Sequence, residues 1–167
     1  MKIETSRLLI RNYETTDMDD AAEFLLNEKT MAFIPERFSS KEEMALFLEK
    51  NKNHFFPVVL KEEDKVIGHL SFEAFFGNHS YEIGWVFNED YHQKGYGKEA
   101  AKAMLNEGFT QMNIHRIIAT CQPENPGSWK LMEAIGMRRE GFFKKCIPAG
   151  DSWWDEYYYA VLREEWK

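Results

Sequence analysis

The sequence predicts an α/β fold: a mixed, mostly antiparallel sheet of about seven strands flanked by about four helices. Three observations predict it. Short stretches rich in β-branched and aromatic residues alternate with segments whose apolar residues recur three or four apart. Their order along the chain reads β-α-α-β-β-β-α-β-α-β-β, which suits a sheet with helices on its faces. Hydrophobic residues make up 44% and aromatic residues 15% of the 167 residues. That is enough for one domain over residues 1–167 with a substantial core, and too much for a disordered chain. No repeat or low-complexity linker interrupts it.

Leu8 to Tyr13 reads as the first strand. Thr16 or Asp17 then caps a helix with Ala21, Ala22, Leu25 and Leu26 on one side. Pro35, within Met31 to Phe38, breaks that helix. Ser39 or Ser40 caps the second helix, with Glu42 or Glu43 completing a capping box and Met44, Phe47 and Leu48 as its apolar face. Pro57 to Leu60 is a short strand, and Glu62-Glu63-Asp64 is a turn. In the next strand Val66, Gly68, Leu70, Phe72 and Ala74 alternate with polar residues, so its two faces differ. Gly77-Asn78 turns into a strand from Tyr81 to Phe87. Ala100, Ala101, Met104, Leu105 and Phe109 mark the third helix, ending near Gly108, and Arg116 to Cys121 is a buried strand. Asn125-Pro126-Gly127-Ser128 opens the fourth helix, with Leu131, Met132 and Ile135 inward and Gly136 as its stop. Strands near Arg138 to Ile147 and Trp153 to Leu162 close the chain.

Charge and composition exclude several functions. The net charge is −7 and the pI about 5.3. Binding to nucleic acid needs a basic face, and no basic aromatic stripe is present. An acidic surface suits a cationic acceptor instead. Cys121 and Cys146 read as a buried, reduced pair, which points to a cytoplasmic protein. The chain opens at once on Glu4 and Arg7, without a signal-peptide pattern, and no apolar run approaches membrane-spanning length. His54, His69, His79 and His115 are scattered, and no His/Cys group has zinc spacing, so no metal is expected.

The segment His92-Gln93-Lys94-Gly95-Tyr96-Gly97-Lys98-Glu99 is the most informative. It lies between a strand and a helix N-terminus. Glycines let backbone approach a ligand closely, and the free amides and dipole of a first helical turn attract an anion. The amides of Gln93 to Lys98 are therefore candidates for phosphate. The loop is not a P-loop, because Gly-Lys-Ser/Thr is missing, nor a dinucleotide fingerprint, because the third glycine is absent. On spacing alone, a plain tight turn remains an alternative.

At this point the chain resembles the GNAT family of N-acetyltransferases, over its whole length. The family's pyrophosphate loop is written R/Q-x-x-G-x-G/A, and here it stands as His92-Gln93-Lys94-Gly95-Tyr96-Gly97, with His92 departing from the Arg/Gln position. The branch that acetylates ribosomal-protein N-termini is more similar still. Thr5-Ser6-Arg7-Leu8-Leu9-Ile10-Arg11 resembles its start, Gly95-Tyr96-Gly97-Lys98-Glu99-Ala100 its loop, Asn125-Pro126-Gly127-Ser128, Gly136-Met137 and Glu140-Gly141 its later motifs, and Trp153 through Trp166 its finish.

The resemblance implies a GNAT fold, acetyl-CoA as donor and a primary amine as acceptor. The neutral amine would attack the thioester directly in a ternary complex, leaving three tasks: deprotonation, oxyanion stabilisation and thiolate protonation. The family's strand before the loop is bulged, and pantetheine pairs with it. Val86 and Phe87 are then candidates for pantetheine and oxyanion contact, His92 to Lys98 for pyrophosphate, and Asn125 and Ser128 for the pantetheine arm. Asn125 and Ser128 also read as a helix cap. Many relatives carry a Tyr acid seven residues after this Asn. Met132 stands there, which leaves Ser128 as the candidate acid. Glu82 is the base candidate, with a solvent-facing carboxylate as the plain alternative, and Asp155 and Glu73 follow it.

A peptide or ribosomal-protein N-terminus leads as acceptor by branch resemblance. A small amine (polyamine, amino acid or antibiotic) comes second. A non-catalytic acyl-CoA-binding module is the rival from another class, left open by Met132. A nucleotide-phosphate binder is opposed by the missing Lys-Ser/Thr. The sequence leaves a monomer and a homodimer equally open.

Overall fold

The computed structural model describes all 167 residues. Eight strands and four α-helices follow one another as β1 (Lys2–Glu4), β2 (Leu8–Arg11), α1 (Met18–Leu25), α2 (Lys41–Lys50), β3 (Phe55–Leu60), β4 (Lys65–Phe76), β5 (Ser80–Phe87), α3 (Tyr96–Thr110), β6 (Arg116–Cys121), α4 (Pro126–Ala134), β7 (Arg138–Ala149) and β8 (Ser152–Leu162). The sheet order is β1-β2-β3-β4-β5-β6-β8-β7. The β5–β6 pair is parallel, and β1–β2, β2–β3, β3–β4, β6–β8 and β7–β8 are antiparallel. The α/β class and the mostly antiparallel sheet are as expected. The strand count is one higher. Lys2–Glu4 pairs with β2 in the register Ile3↔Ile10, and three residues are too few to show an alternation. No helix is long and apolar enough to cross a membrane.

By its internal packing the chain divides into two compact units: Met1–Phe72 with Trp85–Met104, and Glu73–Gly84 with Leu105–Lys167. In the first unit, α1 and α2 bury Ala21, Phe24, Leu25, Met44 and Leu48 with Val59 of β3, Val66 of β4 and Val86 of β5. Five consecutive residues of β3, Phe56 to Leu60, are buried, so both of its faces are covered. Ser40 caps α2, accepting from the Glu43 amide at 3.1 Å, while the Glu43 carboxylate accepts from the Ser39 amide at 2.7 Å.

Asp17 does not cap α1 with its side chain. Its carboxylate takes the Arg11 guanidinium in two hydrogen bonds of 2.7 and 2.8 Å and the Glu14 amide at 2.8 Å. His69 is buried against Phe24 and Phe55, with Tyr13 Oη 3.0 Å from its Nδ1. Burial lowers its pKa from 6.5 to about 3, so the ring stays neutral.

In the second unit, β6 is packed by α4 and paired with β8, which pairs in turn with β7. Met132 and Ile135 of α4 are each 1% exposed, and Gly136 stops the helix at φ +92°, a conformation open to glycine. Tyr159 donates to Glu133 at 2.9 Å and accepts from Arg139 Nε at 3.0 Å. Cys121 and Cys146 are both free, but only Cys121 is buried. The expectation of a buried pair therefore fails at Cys146, which lies on the exposed strand β7.

Candidate active site

The glycine loop is built from the end of β5 onward. Asn88 accepts from the Asp90 amide at 3.1 Å and starts a single 3-10 turn, Glu89–Tyr91. His92 follows in extended conformation and sets its Nε2 2.9 Å from the carbonyl of Phe87. A carbonyl only accepts, so Nε2 carries the proton in this contact. His92, which departs from the family's Arg/Gln, thus ties the loop back to the strand it leaves. Gln93 at φ +61° and Gly95 at φ +82° turn the chain into α3.

The Gly95 carbonyl accepts the first helical bond, from Glu99 at 3.1 Å. The amides of Tyr96, Gly97 and Lys98 therefore belong to the first turn and have no partner within the helix. An anion at this end meets those amides and the positive end of the helix dipole. Lys94 is exposed, with Nζ 5.1 Å from the Tyr91 ring centre.

A latch from the N-terminal segment fixes this loop. Arg7 donates through Nη1 to the carbonyl of Lys94 at 3.0 Å and through Nε to Glu99 Oε2 at 2.7 Å. Its guanidinium lies 4.5 Å from the Tyr96 ring centre. Glu99 also accepts from Thr5 Oγ1 at 2.6 Å, Ser6 Oγ at 3.3 Å and the Arg7 amide at 3.1 Å. Burial pushes the Glu99 carboxyl up, but the bonds from Thr5 and Arg7 outweigh it and hold it below its ordinary 4.5. The Thr5-Ser6-Arg7 opening contributed to the resemblance, but its grip on the loop is visible only in the structure. A Cβ on Gly95 would fall 3.4 Å from Arg7 Nη2, in a backbone conformation that side chains rarely adopt.

Val86 and Phe87 lie at the end of β5 just before this loop. Val86 turns its side chain into the core and is 8% exposed. A Cβ on Gly68 of β4 would sit 2.6 Å from the Val86 carbonyl oxygen and 2.5 Å from the Phe87 ring, so Gly68 is needed for this close approach.

In the other unit, β5 pairs with β6 in the register Ser80↔Arg116, Tyr81↔Ile117 and Glu82↔Ile118, while β6 continues to Cys121. Glu82 is therefore opposite Ile118. Thr120 is two residues further along β6, on the same face. Thr120 is opposite Tyr158, and Glu156 is two residues from Tyr158, again on that face. Alternation thus gathers Glu82, Thr120 and Glu156 from three strands.

Thr120 Oγ1 donates to Glu82 Oε1 at 3.1 Å. Glu156 is 9% exposed and shares this strand face. Burial, and then the charge of Glu73, push the Glu82 carboxyl above its ordinary 4.5, against the lowering effect of Thr120. Burial, and then the charge of Glu82, push Glu156 up in the same way. Glu82 is accordingly half-buried and hydrogen-bonded, in place of the solvent-facing carboxylate that was its plain alternative.

Glu156 and Thr120 escaped the sequence reading. The signal that would have found them is the strand register, which periodicity alone does not supply. Asp155, the second base candidate, accepts the Lys145 amide at 2.7 Å and holds the β7–β8 hairpin.

Asn125 sits at the N-cap of α4, where its carbonyl accepts from the Ser128 amide at 3.2 Å. Its side chain makes no capping bond, so the local reading of Asn125 as a side-chain cap fails. Burial pushes the Cys121 thiol up to about 11, against a lowering effect of the Ser128 hydroxyl. The first unit therefore gathers Val86 and Phe87 with the loop residues His92 to Lys98. The second holds Glu82 on β5 and, at the start of α4, Asn125 and Ser128.

The first turn of α3 offers amides that could meet an anion, and Glu82 lies half-buried on β5. The family model described as the acetyltransferase (GNAT) domain matches residues 7–138, and the chain belongs to this family. It is an N-acetyltransferase, and the donor of the family is acetyl-CoA. The chain is 56% identical to the uncharacterized N-acetyltransferase YnaD of Bacillus subtilis, over 99% of both chains. The crystal structure of a GNAT-family acetyltransferase from Bacillus anthracis superposes with a TM-score of 0.95 at 53% identity, covering 98% of this chain and 99% of that one. The ribosomal-protein-S5-alanine acetyltransferase of Vibrio fischeri superposes with a TM-score of 0.81 at 25% identity, covering 100% of this chain and 99% of that one.

Proposed function

We propose that this chain transfers the acetyl group of acetyl-CoA to the α-amine of a peptide or ribosomal-protein N-terminus, by direct attack in a ternary complex in the cytoplasm. The observation that carries the reading is the Glu82 carboxyl, raised by burial on a strand face that it shares with Thr120. A base works best when its proton affinity approaches that of its partner. A half-buried carboxylate hydrogen-bonded to one strand neighbour suits removal of a proton from an amine. The likeness to the S5-alanine acetyltransferase supports the same acceptor.

In this reading the amides of Gln93 to Lys98 hold the pyrophosphate of acetyl-CoA, and Lys94 adds charge at the rim. The amides of Val86 and Phe87 and the Asn125 side chain hold the pantetheine arm. Glu82 removes the amine proton. The nitrogen attacks the thioester carbon, and the oxyanion is met by the β5 amides. Collapse expels the CoA thiolate, and the proton that the new amide nitrogen sheds passes through the Ser128 hydroxyl to the sulfur, leaving the hydroxyl intact. Met132 is buried and has no proton to give, so it takes no part.

A small cationic amine is the second reading, favoured by the grouping of Glu73, Glu82 and Glu156. An amine panel read by release of free CoA separates the two. Turnover of peptides that depends on the first residue supports the first reading, and turnover restricted to polyamines replaces it. Gly95→Val should abolish CoA binding in calorimetry while the circular dichroism spectrum is retained. Unchanged affinity would remove the loop from the site.

A further inference from the structure

Resting on the reading of Glu82 as base toward a peptide α-amine, we propose that Phe143 and Tyr158 form a wall that receives the side chain of the acceptor's first residue and selects an apolar one. Strand register sets the arrangement. Thr120 of β6 is opposite Tyr158 of β8, and Tyr158 is opposite Gly141 of β7. Phe143 is opposite Glu156, two residues from Tyr158, so these positions share the face that carries Glu82. The Phe143 and Tyr158 rings meet on the diagonal, with centres 4.4 Å apart and planes tilted by 54°. A row thus crosses four strands. It starts at the Glu82 carboxylate, which Thr120 holds at 3.1 Å, and continues to Tyr158 on the next strand and Phe143 on the one after.

The wall is fixed by the glycine beside it. A Cβ on Gly141 would fall 2.8 Å from Phe143 Cε2, so the Phe143 ring occupies space that only a glycine leaves. Phe143 nevertheless stays exposed, while Glu156 opposite it is buried. An incoming group at this place therefore meets ring surface. Covering such surface is favourable in rough proportion to the apolar area removed from water. The row is complementary to an N-terminal residue: the ammonium belongs at Glu82 and an apolar side chain on the rings. Glu82 disfavours an acidic side chain there, and Lys144 and Lys145, next along β7, disfavour a basic one. Glycine leaves the rings uncovered.

A second copy of the chain is the other occupant that rings on an edge strand invite. β7 ends the sheet, and an open edge is a template for pairing. Its own features oppose that. The register shifts between Phe143 and Ile147, Lys145 is at φ +49°, and Lys144 and Lys145 are both exposed. A bulge and lysines are common means of keeping an edge unpaired. Phe142 supplies the comparison. It is 49% exposed against 47% for Phe143, but it is opposite Tyr157 and lies on the other face of the sheet from Glu82. A general stickiness of the edge involves both phenylalanines, whereas recognition beside Glu82 involves Phe143 alone.

Two measurements test this. The first is acetylation of a peptide series that differs only in its first residue: Gly, Ala, Leu, Asp and Lys. The Leu peptide should have the highest kcat/KM. Phe143→Ala should raise its KM about tenfold, a typical loss for an apolar contact, with kcat and CoA affinity unchanged and the Gly peptide unaffected. Phe142→Ala should alter none of these values. The second is NMR of the phenylalanine ring signals in the CoA-bound protein, assigned with the two alanine variants. The Leu peptide should shift the Phe143 signals and leave those of Phe142 in place. A wild-type preference for Asp or Lys, an unchanged KM in Phe143→Ala, or equal effects of the two alanine variants would overturn the wall. So would a wild-type dimer in sedimentation that Phe143→Ala dissociates, because the rings would then belong to a second copy. The NMR titration needs no turnover. Phe143 shifts in a protein that acetylates no peptide would overturn the peptide-acetylation reading and leave the wall, whereas peptide acetylation indifferent to Phe143→Ala would do the reverse.

Discussion

At the start of α3, Glu99 is surrounded by donors from Thr5, Ser6 and Arg7 and holds its charge more readily than a free glutamate. On β5, Glu82 is half-buried with one hydroxyl donor and the charge of Glu73 bearing on it, and it surrenders its charge more readily. The two carboxylates respond to pH in opposite directions. The folded pKa of Glu99 is depressed, so its contribution to stability is present above the ordinary 4.5 and lost as pH falls through the lowered value. The folded pKa values of Glu82 and Glu156 are raised, so their contribution is fully present below 4.5 and lost as pH rises through the raised values. The difference separates two jobs. A carboxylate that fixes a loop should stay ionised through every working condition. One that takes a proton from an amine gains from being held somewhat against its charge.

The sharpest way to break this comparison is to remove one job and look for the other. Glu82→Gln keeps the shape and deletes the base. It should lower kcat by about a hundredfold or more, the usual loss when a positioned base is removed. CoA affinity should stay at the wild-type value, because the loop amides are untouched. The defect should narrow at high pH, where free amine is abundant. Equal losses in kcat and in CoA affinity, measured by steady-state kinetics and calorimetry, would mean that the two regions are not separate in function.

The latch offers a test of middle size. Arg7→Ala removes the bond to the Lys94 carbonyl, two contacts with Glu99 and the contact with Tyr96. The pair is partly exposed, which limits its strength. CoA should bind about tenfold more weakly, equivalent to about 1.4 kcal/mol, with kcat at saturating acetyl-CoA nearly unchanged. Arg7→Lys should rescue little, since an ammonium cannot reproduce the guanidinium fork. An unaltered dissociation constant would show that α3 holds the loop without help.

The same comparison explains which parts were legible in the sequence. The glycine loop is contiguous, and its strand, turn and helix are local signals, so His92 to Lys98 could be read directly. Its latch could not, because Arg7 and Glu99 are 92 positions apart and only the fold brings them together. Glu82 stood out as a carboxylate among apolar strand residues. Thr120 and Glu156 did not, because their approach depends on two strand registers, and a slip of one residue would turn each to the opposite face. Asn125 shows the limit of local rules in another way. Asn is a favoured N-cap residue, yet the side chain here makes no capping bond and the backbone carbonyl serves the turn. Cys146 misled through its setting, since a strand at the sheet edge can leave even Phe142 and Phe143 exposed.

The smallest effect belongs to Ser128, and it probes the far end of the reaction. The hydroxyl bears on the Cys121 thiol, which burial pushes up to about 11. A thiol partner of that kind is a weak hydrogen-bonding group, so the serine can turn to a developing thiolate at little cost. A thiolate is a good leaving group and departs without needing a full proton in the transition state. Ser128→Ala should therefore lower kcat by less than about tenfold, far less than Glu82→Gln. Deprotonating the amine does nothing for the leaving group, so this modest defect should persist at high pH, where the Glu82→Gln defect narrows. Thiol release followed from pH 6 to pH 9, roughly the range across which an α-amine and a thiol titrate, reads both variants in one assay. If Ser128→Ala matches the wild type at every pH, the thiolate departs unaided and Ser128 serves only to pack α4 against Cys121.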